Sequence, residues 1–117
     1  MHLPNAENAV VDSRKLINYV LNFEDPRGRH KARVFKSALG YTAENANELS
    51  RAVLAAAAEN ECLLGELDFY GQRYTVDCRI RTDEGEATVR TGWIILKGED
   101  FPRLTTCFVL KERRGIR

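Results

Sequence analysis

The sequence has no apolar run long enough to cross a bilayer, and its first residues, MHLPN, lack the hydrophobic core of a signal peptide. It also has almost no net charge, because 18 basic residues face 17 acidic ones. Whole-molecule electrostatics therefore indicates no particular partner, and a basic binding site must come from local clustering. We expect a cytoplasmic protein that does not insert into a membrane.

Motifs of the common nucleotide-dependent and metal-dependent enzymes are absent as well. The chain contains no GxGxxG before a helix, no Walker lysine, no GxSxG elbow and no HExxH. Its three cysteines, Cys62, Cys78 and Cys107, are an odd number without zinc-ligand spacing. We expect them to be reduced thiols, mostly buried in strands. The sequence predicts that the protein uses neither a metal nor a cofactor.

The first half of the chain has a helical pattern. The length of 117 residues suits a single domain. Residues 1–11 are expected to be an extended lead-in, after which apolar residues recur at helical spacing behind good capping residues. The pattern makes residues 1–60 mainly helical and predicts three helices, over residues 14–21, 29–39 and 43–60.

After residue 60 the spacing of apolar residues changes from helical to alternating. It predicts four strands, over residues 62–70, 73–82, 86–97 and 103–111, with a turn at Gly71-Gln72 and a basic tail at 112–117 that frays. The short connections favour an antiparallel meander, one face of which the helices must cover. The predicted fold class is α+β, with about three N-terminal helices packed on a four-stranded antiparallel sheet at residues 61–111.

A basic cluster marks the start of the second predicted helix. It consists of Arg27, Arg29, Lys31, Arg33 and Lys36, together with His30. Helical spacing places Arg29, Arg33 and Lys36 on one face, next to a loop–helix junction that favours phosphate. Histidine changes charge near neutral pH, so His30 is a candidate for proton transfer. The alternative is a solvated helix face whose long side chains cover apolar neighbours.

Polar residues on the predicted strands could complete such a site. Arg79 lies on the polar face of the second strand with Asp77, Arg90 interrupts the apolar third strand, and Thr105 and Thr106 lie on the fourth. An arginine there could stabilise the charge of a transferring phosphoryl group. The alternative is that Arg79 only pairs with Asp77 or with a neighbouring strand.

Aromatic residues on the strands are better explained by packing than by base stacking. We expect Trp93 to lie in the core. Phe69, Tyr70 and Tyr74 are near a predicted turn, where aromatic side chains usually pack.

Several segments together resemble a prokaryotic domain family of unknown function, found as small proteins or as modules of phage-related and toxin-like proteins. The segments are LPNAENAVVDSRKL, PRGRHKARVFKSALG, YGQRYTVDCRI, ATVRTGWII and GEDFPRLTTCFVL. The layout is also similar to that of the barnase, EndoU, colicin and RelE-type ribonuclease toxins. These proteins place N-terminal helices before a four-stranded antiparallel sheet and cut RNA without a metal.

The resemblance to ribonuclease toxins implies roles for individual residues. His30 would match the general acid or base, Arg79 and Arg90 the phosphate-stabilising arginines, and Thr105 or Thr106 the hydroxyl of the last strand. The chain departs from the EndoU pattern because it has no second histidine suited to catalysis; His2 lies in the lead-in.

In that reading Lys31 or an arginine takes the second catalytic role, and Arg27, Arg29, Arg33 and Lys36 bind the substrate phosphates. The leading interpretation is a metal-independent, RNA-binding endoribonuclease, a hydrolase that is the toxin of a toxin–antitoxin pair and has an antitoxin or immunity protein as its partner. The alternative is a non-catalytic module that binds a nucleic acid or a protein. A third interpretation is a sheet whose edge pairs in a homodimer.

Overall fold

Three helices precede a four-stranded sheet in residues 1–110, the part of the chain that the computed structural model describes. Helix α1 spans Ser13–Lys15 and continues as one wide π-helical turn, Leu16–Val20. Helix α2 spans Arg29–Leu39, and α3 spans Ala46–Glu59 after the 3-10 turn Ala43–Asn45. The strands are β1 (Leu63–Leu67), β2 (Gly71–Thr82), β3 (Gly85–Leu96) and β4 (Arg103–Val109). The predicted α+β class is confirmed.

Helix α2 has the bounds that the sequence predicts. It ends at Gly40, whose φ of 74° is left-handed and suits glycine. Ala32, Phe35 and Leu39 are buried and form the stripe that packs on the sheet. The same spacing leaves the cations of this helix on its exposed side.

A capping box starts the segment that leads into α3. The Thr42 hydroxyl accepts a hydrogen bond from the Glu44 backbone N–H at 3.3 Å, and the Asn45 side chain accepts one from the Thr42 N–H at 2.9 Å. Leu49 and Val53 on the following helix are fully buried. Thr42 therefore caps the 3-10 turn that occupies the predicted start of this helix, and α3 itself begins at Ala46.

The sheet is an antiparallel meander in the order β1-β2-β3-β4. Alternate residues of β2, beginning with Tyr74 and Val76, are buried beneath the helices, as the sequence predicts. Trp93 on β3 is buried in the same layer, and so are the three cysteines. The intervening residues project from the other side of the sheet, which we call the open face.

The turn between β1 and β2 differs from the prediction. The predicted turn residues Gly71 and Gln72 belong to β2, and β1 ends at Leu67 rather than at residue 70. The cause is Asp68, whose carboxylate accepts hydrogen bonds from the backbone N–H groups of Tyr70 and Gly71 at 2.9 and 3.2 Å. This Asx turn reverses the chain about three residues early.

The lead-in is tied to the sheet rather than uniformly extended. It contains the 3-10 turn Ala6–Asn8, and isolated bridges join His2 to Glu61 and Val10 to Arg103. Strand β4 ends at Val109, so Leu110 lies outside it although the prediction includes that residue. The predicted end of the strand at residue 111 and the predicted tail at 112–117 fall outside the described residues. Within residues 1–110, no helix is both long enough and apolar enough to cross a membrane.

Candidate functional site on the open face of the sheet

Arg90 is held on the open face by Asp77. The two residues are register partners on β3 and β2, and Arg90 Nε and Nη2 each donate to an Asp77 carboxylate oxygen at 2.8 Å. The hydrogen bonds from Arg90 lower the pKa of Asp77 below its usual value, against the opposing effect of burial. Arg90 Nη1 is not used in this pair, so a donor remains for a ligand.

Arg79 lies two residues along β2 on the same face. Its Nε donates to Glu86 at 3.1 Å, and its Nη1 donates to the Thr88 hydroxyl at 3.0 Å. Hydrogen bonding from Arg79 lowers the pKa of Glu86. Arg79 therefore pairs with a neighbouring strand, as the alternative interpretation of the sequence expects, while Asp77 belongs to Arg90.

Asp77, Arg90 and Phe108 are cross-strand neighbours on β2, β3 and β4 and form a row on the open face. Lys31 is the member of the basic cluster that reaches this row. Phe108 on β4 is the register partner of Arg90 and occupies the next position on the open face. The Lys31 ammonium group lies over the Phe108 ring, 4.9 Å from its centroid. Because β4 is the edge strand and α2 contacts it, Lys31 can reach round the edge from the helical layer.

His30 is exposed on α2 and lies beside the same edge. It lines a groove of about 350 Å³ together with Lys31, Val34 and the residues at the end of β4, Phe108 to Leu110. Leu110 donates its backbone N–H to the Thr88 carbonyl at 2.8 Å, so the groove adjoins the row that contains Thr88 and Arg79. Within residues 1–110, the His30 side chain makes no hydrogen bond or ion pair and is accessible to a ligand.

Thr105 and Thr106 both border the open face beside Gly92. Thr106 is the register partner of Gly92 and is two residues from Phe108, so its side chain lies on the same side of β4. Thr105 falls at an irregularity in the β3–β4 pairing, and its carbonyl accepts a hydrogen bond from Lys15 Nζ at 3.1 Å. A Cβ on Gly92 would meet the Thr105 hydroxyl at 3.0 Å and the Thr106 methyl group at 3.1 Å, so both side chains lie beside that residue.

The remaining members of the basic cluster lie elsewhere on the helical layer. Arg27 pairs with Asp25 at 3.4 Å and lies over the Tyr19 ring, 5.0 Å from its centroid. Lys36 lies over Phe23, and the side chains of Arg29 and Arg33 are exposed on α2. The structure does not bring these four cations to the rows of Arg79 and Arg90.

The predicted phosphate site at the start of α2 is partly occupied by the chain itself. The Asp25 carbonyl accepts hydrogen bonds from the N–H groups of Gly28 and Arg29 at 3.0 and 2.8 Å, and the Asp25 carboxylate accepts one from Arg27 at 2.8 Å. These donors are therefore not available to an anion. Among residues 1–110, no three His, Cys, Asp or Glu side chains gather as they would around a metal ion.

Sequence reasoning missed Phe108, the residue that links the basic cluster to the sheet. The signal is weak, because an aromatic residue on an edge strand is ordinary. Its position beside Arg90 depends on the register between β3 and β4, which the spacing along one strand does not contain.

Comparison with known proteins identifies the family. Residues 2–111 match the sequence model of a family described as a domain of unknown function, DUF6883. The chain belongs to this family. No curated protein matches the DUF6883 chain. The match to the family model confirms the predicted membership of a family of unknown function.

A solved structure shares the fold of this DUF6883 chain. It comes from a contact-dependent growth inhibition toxin–immunity protein complex of Klebsiella pneumoniae 342. The TM-score is 0.67 at 16% sequence identity, and the alignment covers 92% of this chain and 97% of the other. At that identity the likeness establishes a common fold.

Proposed function

We propose that this chain is a metal-independent endoribonuclease that binds RNA at the β4 edge of the open face. The observation that carries the proposal is the row formed by Asp77, Arg90, Phe108 and Lys31 across three strands and α2. It sets a fixed guanidinium group at the strand position next to an aromatic ring that has an ammonium group over its face. A phosphate and an adjoining base have complementary chemistry, since the cations suit the phosphate and the ring suits the base.

The proposed reaction is attack of an RNA 2′-hydroxyl on the adjacent phosphate. A base takes the proton of the 2′-hydroxyl, the new O–P bond closes a 2′,3′-cyclic phosphate, and an acid gives a proton to the departing 5′-oxygen. His30 supplies one of these proton transfers and Lys31 the other. Arg90 and Arg79 stabilise the charge on the phosphoryl oxygens, and the Thr106 hydroxyl helps to orient the substrate.

The proposed biological role is that of a toxin with a neutralising protein partner. The support is the fold shared with a chain of a toxin–immunity protein complex. Such a partner, an antitoxin or immunity protein, would protect the producing cell by binding the toxin.

The test is cleavage of RNA by the purified chain in the presence of EDTA. We expect products with 2′,3′-cyclic phosphate ends and a rate that EDTA does not change. His30→Ala should lower the rate by about 10²–10⁴-fold if His30 transfers a proton. Arg90→Gln should lower it by about 10²-fold, as expected when one charge-stabilising donor is removed.

The matched control is Arg51→Gln, which removes an exposed arginine from α3, in the helical layer. It should cleave RNA as the unaltered chain does. Absence of cleavage of total cellular RNA, together with absence of toxicity on expression in a host that lacks the proposed antitoxin or immunity protein, would remove the proposal.

A second candidate function is a non-catalytic binding module. It is favoured by the observation that Arg79 and Arg90 are already paired with Glu86 and Asp77. In this case His30→Ala changes little. Charge reversal at the exposed cations of α2, Arg29, Arg33 and Lys36, instead weakens nucleic-acid binding in a salt-dependent way, measured by fluorescence anisotropy over a range of salt concentrations.

A further inference from the structure

The free edge of β1 carries an apolar surface that the rest of the described chain leaves largely exposed, although the Lys97 ammonium group lies over the Phe69 ring, 5.0 Å from its centroid. We call it the edge patch, and its members are Leu63, Leu64, Leu67, Phe69 and Tyr70. Eight large apolar side chains are exposed within residues 1–110, and five of them lie in this stretch of eight residues. Phe69 is 81% exposed, although an aromatic side chain at a turn is expected to pack.

The edge patch is exposed because the helical layer ends before it. All five residues of β1 are exposed, and among the strands β1 pairs only with β2. The turn that follows is held in place, since Arg73 Nε donates to the Asp68 carboxylate at 2.6 Å. The Phe69 and Tyr70 rings meet edge to face, with centroids 5.6 Å apart. The patch is therefore a defined surface rather than a frayed end.

The area of the edge patch is large for an unpartnered surface. Each of its side chains is at least 63% exposed. Each of its two aromatic side chains buries roughly 150–250 Å² when covered, and with the three leucines the patch offers on the order of 500 Å². Two such patches facing each other would bury about 1,000 Å², which reaches the size of a specific interface. Contiguous apolar patches of this extent mark interaction sites.

We propose that a second copy of this chain covers the edge patch, with the two β1 strands antiparallel about a twofold axis near Gly65. The strand sequence LLGEL suits this arrangement, because the axis brings Leu63 of one copy opposite Leu67 of the other. It also places Glu66 opposite Leu64, so that no carboxylate of β1 faces another carboxylate. The leucines of the patch then meet each other, as a twofold interface requires, while Phe69 and Tyr70 of each copy lie at the ends of the contact, opposite residues 61 and 60 of the other copy.

Side chains rather than a continued hydrogen-bond ladder carry this interface. The pairing of β1 with β2 is irregular between Leu64 and Leu67. There the Gln72 side-chain amide donates to the Gly65 and Glu66 carbonyls at 2.9 and 3.2 Å. Those two acceptors are therefore occupied within one copy, and the leucine and aromatic side chains remain to make the contact.

The proposed dimer is independent of the proposed ribonuclease activity. β1 and β4 are opposite edges of the sheet, so a contact through β1 leaves the groove beside Lys31 and Phe108 accessible. The edge beyond β1 is limited by the chain's own start, because the Cys62 N–H donates to the Met1 carbonyl at 2.7 Å. The start of the chain therefore borders the end of the contact at which Phe69 and Tyr70 of the other copy lie.

Sedimentation equilibrium of the full 117-residue chain tests the proposal. We expect twice the chain mass of 13.3 kDa at micromolar concentration. Leu67→Glu and Leu63→Lys should each sediment as a monomer, because each places a charge in the apolar contact. The control Ile17→Lys changes a side chain that is 43% exposed outside the patch and should remain a dimer. Circular dichroism verifies that each variant is folded.

Mixing the two patch variants gives a sharper result. A Lys at position 63 of one copy lies opposite a Glu at position 67 of the other, so the mixture should form a heterodimer in equal proportion. Dimerisation restored in the mixture supports a second copy as the occupant. A monomeric unaltered chain, a dimer that both variants leave intact, or a mixture that stays monomeric would overturn the proposal. So would a patch that binds only a different protein.

Discussion

Asp77 and Arg90 form a two-point ion pair across the central hairpin, with Nε–Oδ1 and Nη2–Oδ2 distances of 2.8 Å. The pair joins β2 to β3 on the open face and fixes the plane of the guanidinium group. It is the most constrained contact of the candidate site, and it connects the stability of the sheet with the geometry of that site.

Asp77→Asn should weaken this contact without unfolding the chain. Both side chains are more than a third exposed, so solvent screening limits the contribution of the pair. We expect the free energy of unfolding to fall by about 1 kcal/mol or less. Urea unfolding followed by Trp93 fluorescence measures it. Asp100→Asn, at an exposed aspartate outside the sheet, is the control and should change nothing; an equal loss in both variants would contradict the assignment.

The free energy of unfolding should depend on pH, because four carboxylates accept hydrogen bonds from arginine side chains. Each accepts a side-chain hydrogen bond that lowers its pKa: Asp68 from Arg73, Asp77 from Arg90, Glu86 from Arg79, and Glu99 from Arg103. Because these pKa values are lower in the folded chain, the unfolded chain binds more protons in acid. The stabilisation is thus complete above the unfolded pKa values, about 4, and is lost as the pH falls through the folded values.

Urea midpoints measured from neutral to acidic pH test this expectation. The midpoint should be nearly constant at neutral pH and should fall only in the acid range in which carboxylates protonate. High salt should reduce the fall, since the pairs are at the surface. A loss of stability centred near pH 6 would instead indicate a histidine, at roughly the pH where histidine titrates.

Thr91 should be sensitive to loss of its hydroxyl. This buried side chain donates to the Val76 carbonyl at 2.7 Å and accepts from Trp93 Nε1 at 2.8 Å. Thr91→Val would leave the indole N–H without an acceptor, at an expected cost of about 1–3 kcal/mol in unfolding free energy. Thr91→Ser keeps the hydroxyl and should retain more of the stability. Thr75→Val, on the open face of β2, is the control.

Gly71 and Gly98 should respond differently to alanine although both have positive φ. A Cβ at Gly71 would overlap the Ile95 carbonyl oxygen, whereas a Cβ at Gly98 would meet nothing within 4 Å. Gly98→Ala should cost only the backbone preference, about 1–2 kcal/mol. Gly71→Ala should cost more, because β2 and β3 must separate. Thermal unfolding of the two variants compares them, and equal losses would argue against close approach at Gly71.

Lys31→Met distinguishes the effect of the Lys31 charge from the effect of its packing on Phe108 at the β4 edge. Methionine keeps apolar contact with Phe108 but removes the ammonium group, so under the proposed function RNA cleavage should fall by at least about tenfold. The matched control is Lys36→Met on the same helix, where the lysine lies over Phe23 instead. If both variants lose equal activity, net charge rather than position is responsible.

The sequence predicted those features that depend on spacing along a single segment. Helix α2 ends at Gly40 because a left-handed residue ends it, and β2 alternates because Val76 and Cys78 face the core. The pairing of Asp77 with Arg90, rather than with Arg79, depends on the register between two strands. Register is set by the Thr82–Gly85 hairpin, and a pattern within one strand does not contain it.

The expectation that Phe69 and Tyr70 pack was wrong for a physical reason, while the one for Tyr74 was confirmed. Burial depends on which strands the helices cover, and the helical layer stops short of β1. That limit is a property of the packed layers, so no local sequence signal reveals it. The basic cluster is divided in a similar way. His30 and Lys31 lie at the β4 edge and the other cations lie elsewhere, because successive side chains of α2 point in different directions around the helix axis.

All three cysteines are free thiols and are buried, so their reactivity depends on local opening of the folded chain. Burial raises the pKa of Cys78 to about 11 and that of Cys107 to about 12, so both thiols stay protonated and unreactive in the closed chain. Cys78 and Cys107 lie between the sheet and the helices, where a thiol reagent can reach them only when these layers part. The rate of alkylation, read by mass spectrometry, would therefore measure how often the interior opens, without any label being introduced.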